Sequence, residues 1–277
     1  MGDRPIGMTN RARPDSVKAL AHRSIFLPVL VSLIALSWLA LWVWERSPYG
    51  RYLNHAQLGE LHVAHGLADL ALPAALYVAA WTLMTAAMML PTTIPLIEIF
   101  RRLTRERSDR ASLIFLLILG YLGVWLAFGI FAHLFDLGLH EALEGSTWLQ
   151  ANPWLFGAGP LLVAGLFQFS RLKYRCLDKC RAPLSFVMQH WRGDNTRVQA
   201  LRLGAHHGVY CVGCCWALML LMFAVGTGNV GWMLVLAAVM AIEKNMPWGR
   251  RIGAPLGAAL IAWSVLIALN HSLSWQA

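Results

Sequence analysis

Five cysteines fall within forty positions of this 277-residue chain: Cys176, Cys180, Cys211, Cys214 and Cys215. They are written C-x-x-x-C and then C-x-x-C-C. Residues three or four apart share a helix face, so Cys176 can stand beside Cys180, and Cys211 beside Cys214 or Cys215. Paired thiolates are soft-metal ligands or a redox couple. Lys173, Arg175, Lys179 and Arg181 flank the first pair and are placed to lower thiol pKa values. His207, with His206 before it, precedes Cys211 by one turn and can add an imidazole. Cys211, Cys215, Met219 and Met222 run down one helical stripe, and Met84, Met88 and Met89 crowd the end of another apolar segment. Thiolate with thioether favours Cu(I), admits other soft metals and suits carboxylate-preferring metals poorly. Each sulfur also has an ordinary use, cysteine as a small apolar residue and methionine as a filler of gaps in a core.

Three other groups of polar residues carry chemistry. Glu243 and Lys244 end an apolar stretch, and read either as a functional carboxylate or as an ion pair between neighbours. His55, His62, His65 and Asp69 share one face if their segment is helical, and His133, Asp136 and His140 repeat the pattern. These form a metal-capture patch or an amphipathic interfacial helix. No phosphate-binding glycine loop, zinc-protease motif or Ser-His-Asp pattern is present, so an ATP-driven pump is unsupported.

The elements that must position these groups follow from composition. Hydrophobic residues make up 58% of the chain and charged residues 13%, about half the soluble average of roughly 25%. That excludes a soluble globule, a disordered chain and a disulfide-stapled secreted domain. A membrane helix needs about 20 apolar residues. Seven stretches answer: Ile25–Trp44, Ala71–Leu90, Leu113–Phe135, Trp154–Phe169, Val209–Val225, Val230–Glu243 and Ala254–Asn270. With the N-terminus inside, 21 of the 23 Lys and Arg residues fall on the cytoplasmic side and 2 outside, as the positive-inside rule requires. The expectation is an all-α polytopic transmembrane bundle of seven spans, N-in and C-out. Residues 1–24 form a cytoplasmic tail, 25–270 the membrane domain with a cytoplasmic cysteine-bearing loop at 170–208, and 271–277 a short outer tail. The first span ends in Trp42-Val43-Trp44, not a small-residue cleavage site, and reads as an uncleaved anchor.

The formal charge of +9 is then a topology signal and calls for no nucleic acid. On this topology the cysteines face the reducing cytosol, where a structural disulfide framework is disfavoured. Phe186, Val187 and Trp191, among Arg192, Arg197 and Arg202, read as a segment on the membrane surface or as a solvated loop.

The segment Trp81-Thr82-Leu83-Met84-Thr85-Ala86-Ala87-Met88-Met89-Leu90-Pro91, with Pro95 beyond it, resembles the W-x-x-M-x-x-A-M-M-x-P motif of a bacterial family of predicted metal-binding integral membrane proteins. Cys180-Arg181-Ala182-Pro183, His190-Trp191-Arg192, Gly208-Val209-Tyr210-Cys211-Val212-Gly213-Cys214-Cys215-Trp216 and Glu243-Lys244 extend the likeness from Trp81 to Pro247. One departure is Gly228, where the family commonly has a methionine before the Asn of the fifth-to-sixth turn, which puts a ligand at the outer end in doubt. The resemblance implies a multi-pass bacterial inner-membrane protein that binds metal. Joined to the sulfur pattern, it gives the leading expectation of Cu(I) handling or delivery, a binding role and no catalysis. Cys211, Cys214 and Cys215 would be ligands, Cys176 and Cys180 a lid or donor pair, and the five methionines an intramembrane path. The partners expected are the lipid bilayer and a metallochaperone or a membrane oxidase or oxygenase under assembly. The same residues admit a thiol–disulfide enzyme that cycles Cys211 and Cys214, or a scaffold for another membrane complex.

Overall fold

The computed structural model describes residues 14–47, 67–152, 154–192, 195–225 and 229–274, and every regular element among them is helical. In chain order these are α1 (Pro14–Glu45), α2 (Leu67–Met88), α3 (Ile94–Leu103), α4 (Arg110–Glu144), α5 (Thr147–Gln150), α6 (Leu155–Phe167), α7 (Arg171–Arg181), α8 (Pro183–His190), α9 (Thr196–Val225), α10 (Val230–Asn245) and α11 (Gly253–Ser274). Among the described residues four helices are long and apolar enough to cross a membrane. Two bent pairs raise that to as many as six, if each pair is one span. The first pair bends by 47° between α2 and the segment Leu90–Leu103, and the second by 65° between α6 and α7. The remaining expected span is α10, whose 16 residues fall short of the about 20 that a crossing usually needs.

The bends have local causes. Pro91 cannot continue the hydrogen-bond ladder of α2, and the chain passes through a 3₁₀ turn at Leu90–Thr93 before α3 begins. At the other bend Ser170 is extended and its hydroxyl accepts from Lys173 N at 3.1 Å, capping the start of α7.

The most extensive interface joins α4 to α9, and its closeness comes from missing side chains. A Cβ on Gly204 would lie 1.9 Å from the Leu117 carbonyl oxygen, and one on Gly120 would lie 2.1 Å from the Leu201 carbonyl oxygen. Gly204 and Gly208 stand four apart, the small-residue spacing that lets two helix backbones touch. α2 is tied to α4 by Trp81 Nε1, which donates to the Trp125 carbonyl at 2.8 Å, and by the Tyr77 hydroxyl, which donates to the Gly129 carbonyl at 2.8 Å. α11 packs along α6, where the Ser264 hydroxyl donates to the Ala158 carbonyl. Outward faces stay apolar, with Phe115, Phe131, Phe135, Leu266 and Leu269 all exposed.

The segment 170–208, expected between two spans, is mostly helix: α7, α8 and the first turns of α9. Within it Phe186 and Val187 do not lie on a surface. They are buried in a second core cluster with Leu96, Ile97, Phe100, Leu113 and Leu203, and Trp191 meets Phe100 edge-on at 4.9 Å. An isolated reading of the segment could not see α3, which supplies the apolar partners.

Candidate functional site

All five cysteines belong to one buried cluster, together with Met84, Met88, Met89, Met219 and Met222 and with Met233 and Met240 of α10. The cysteines are all free thiols. Cys211, Cys214 and Cys215 face inward from α9 and are at most 1% exposed. Cys176 of α7 approaches α9 over Gly213, where a Cβ would lie 2.6 Å from its Sγ. Cys180, one turn on, meets Cys214. Cys214 Sγ donates to the Cys211 carbonyl at 3.2 Å and lies 3.4 Å from Cys215 Sγ, and Cys215 in turn meets Cys211. The sulfurs thus form a file from α7 into α9: Cys180, Cys214, Cys215, Cys211.

The inner end of the file has a cation at it. Lys244 Nζ donates to Cys211 Sγ at 2.8 Å and to the Thr92 hydroxyl at 3.3 Å, and it lies 4.0 Å from Met89 Sδ. The Tyr121 hydroxyl of α4 lies 3.0 Å from the same Cys211 sulfur and 3.3 Å from the Met89 carbonyl. The break at Pro91 therefore has a use. It turns Thr92 out of the line of α2 and toward Lys244 of α10, beside Met89, which still bonds to Thr85 in the helix ladder. His207 is buried one turn before Cys211, tilted against Tyr121 at 5.8 Å and edge-on to Phe186 at 5.5 Å, and its Nδ1 has no hydrogen-bond partner among the described residues.

Glu243 does not pair with Lys244. Successive helix residues point in different directions, and these two serve different neighbours. The Glu243 carboxylate accepts from Lys173 Nζ of α7 at 2.5 Å, with side chains 2% and 0% exposed. Lys173 also donates to Gln168 Oε1. Arg181 closes the far end of α7 by donating to the Glu243 and Pro247 carbonyls. The basic residues flanking Cys176 thus do not serve its sulfur: Lys173 and Arg181 are committed to α10 and the turn after it, and Arg175 and Lys179 are exposed.

Among the described residues no three His, Cys, Asp or Glu side chains are grouped as the ligands of a metal ion. A soft ion bound by a pair of sulfurs needs no such cage. Most of the expected outer patch lies outside what the structure describes. His55, His62 and His65 lie outside the described residues, as do the side chains of Asp69, Asp136 and His140, and Gly228 also lies outside them. His133 is stacked on Tyr77 at 4.3 Å.

Lys244 and Tyr121 are the site residues that the sequence pattern alone did not assign. For Lys244 the signal was present, since a lysine at the end of an apolar helix needs a partner. For Tyr121 there was none, because it meets Cys211 from 90 positions away.

A protein-family model described as PpoB2, copper chaperone, matches residues 78–267, which covers every residue of the sulfur file and its cation. No curated protein and no solved structure gives a significant match.

Proposed function

Because the chain belongs to the copper chaperone family PpoB2, we propose that it carries Cu(I) as cargo through its sulfur file, as a multi-pass protein of the bacterial inner membrane. The observation that carries this reading is the convergence of Cys180, Cys214, Cys215 and Cys211 from two helices into one buried line that ends beside Met89. Thiolate and thioether sulfurs together prefer Cu(I) to borderline or hard ions. Cys176 and Cys180 on α7 receive the ion, Cys214, Cys215 and Cys211 hold it by two neighbouring sulfurs at a time, and the methionines of α2 and α9 offer weaker sites through which it can leave. Each thiol that binds copper gives up its proton.

Support for the membrane reading comes from the four to six candidate spans, from the outward apolar faces of α4 and α11, and from the distribution of basic residues. Seven spans, N-in and C-out, follow if α10 crosses as well. The donor pair then lies on the cytoplasmic side, where a metallochaperone could load it and where the chain could serve a membrane oxidase or oxygenase under assembly. Disulfide exchange fits less well, since an attacking thiolate must be reached by its partner sulfur and Cys211 and Cys214 are 0% and 1% exposed.

Purified protein reconstituted anaerobically with Cu(I) is expected to retain about one equivalent per chain, which the triple variant Cys211→Ser/Cys214→Ser/Cys215→Ser loses. Metal analysis after desalting measures this. Equal copper in the two proteins would refute the reading, and a reversible Cys211–Cys214 disulfide in a copper-free wild type would replace it with the enzyme.

A further inference from the structure

The charges around the file are unequal. Glu243 is the one buried carboxylate among the described residues, and it is bound to Lys173. Lys244 is 5% exposed and among the described residues has no carboxylate partner; it meets the Cys211 sulfur, the Thr92 hydroxyl and the Met89 sulfur. A buried ammonium without a counter-charge is costly, and a site that keeps one has a reason to expect negative charge beside it.

Two thiolates and one monovalent ion make a complex of net charge minus one, and the ammonium brings the whole to zero. Two thiolates and a divalent ion are already neutral, and the ammonium then leaves one uncompensated positive charge in a buried place. We propose that Lys244 is the specificity-determining residue of the cysteine file, the fixed counter-ion that admits a soft monovalent cation and rejects a soft divalent one. The proposal rests on the copper-carrier reading and deepens it. Softness of the ligands alone does not separate Cu(I) from Cd(II), since both take thiolates. Charge does.

The test holds softness constant and changes charge. Wild-type protein is titrated anaerobically with Ag(I) and with Cd(II), and bound metal is measured after desalting. Ag(I) is expected to be retained and Cd(II) not. The Cu(I) and Zn(II) affinities of wild type, Lys244→Gln and Lys244→Arg are then measured against chelators of known strength. The Cu(I)-to-Zn(II) ratio is expected to fall at least about tenfold in Lys244→Gln, because a unit charge a few ångströms away acts strongly in a site of low dielectric, and to stay near wild type in Lys244→Arg. Wild-type protein that takes Cd(II) as readily as Ag(I), or an unchanged ratio in a folded Lys244→Gln that still binds Cu(I), overturns the role of Lys244 and leaves the carrier standing. Wild-type protein that binds neither Cu(I) nor Ag(I) overturns the carrier, and this proposal with it.

Discussion

Glu243→Gln is expected to cost about 3–5 kcal/mol of stability, the usual penalty for removing one partner of a buried ion pair. Lys173 is completely buried, and its ammonium lies against the Glu243 carboxylate at 2.5 Å. A glutamine keeps the shape and one acceptor but leaves the positive charge unbalanced. Arg181 is unaffected, because it binds the main-chain carbonyl of Glu243. α7 would then be held at its far end and not at its base, and Cys176 and Cys180 would lose their seat against α9. The double variant Lys173→Met/Glu243→Leu removes both charges and is expected to recover most of the loss, since apolar replacements of buried pairs are often neutral or stabilising. Thermal unfolding in detergent, followed by helix signal, compares the three proteins. A single variant as stable as wild type would show that the pair does not anchor α7.

Gly204→Val is the second large effect. The carbonyl oxygen of Leu117 stands 1.9 Å from where its Cβ would be, and the Leu117 Cα stands 3.0 Å away. Both are backbone atoms, so no rotamer change can relieve the clash. α4 and α9 must separate, and the separation carries Tyr121 away from Cys211. A destabilisation of about 3 kcal/mol is expected, at the upper end for overpacking, together with weaker copper retention although no ligand is changed. The retention assay and the unfolding assay should move together. Wild-type copper retention in Gly204→Val would mean that the site does not depend on the α4–α9 contact.

Both effects involve partners far apart in the chain, and that separation decided what could be read in advance. Apolar stretches and the helix-face spacing of Cys211, Cys214 and Cys215 are local patterns, and the helices and the shared face of these three cysteines follow from them, whereas the approach of α7 that brings Cys176 and Cys180 to α9 does not. The motif that ends in Pro91 was legible as a motif, but its purpose was not, because the 47° bend matters only once Thr92 and Met89 face Lys244. Pairing Glu243 with Lys244 took two neighbours for partners, whereas the helix turns one to Lys173 and the other to Cys211, 70 and 33 positions away. The burial of Phe186 and Val187 has the same origin. The segment 170–208 is rich in charge, yet these two side chains are buried against α3 and α4, which periodicity within the segment cannot reveal.

The most direct test of the copper-carrier reading is X-ray absorption at the copper K-edge of the loaded wild-type protein. The sulfur file predicts a Cu(I) edge and a first shell of sulfur alone, lost in the triple cysteine variant. A Cu(II) edge, or a first shell of nitrogen and oxygen, would place the metal outside the cysteines and contradict it.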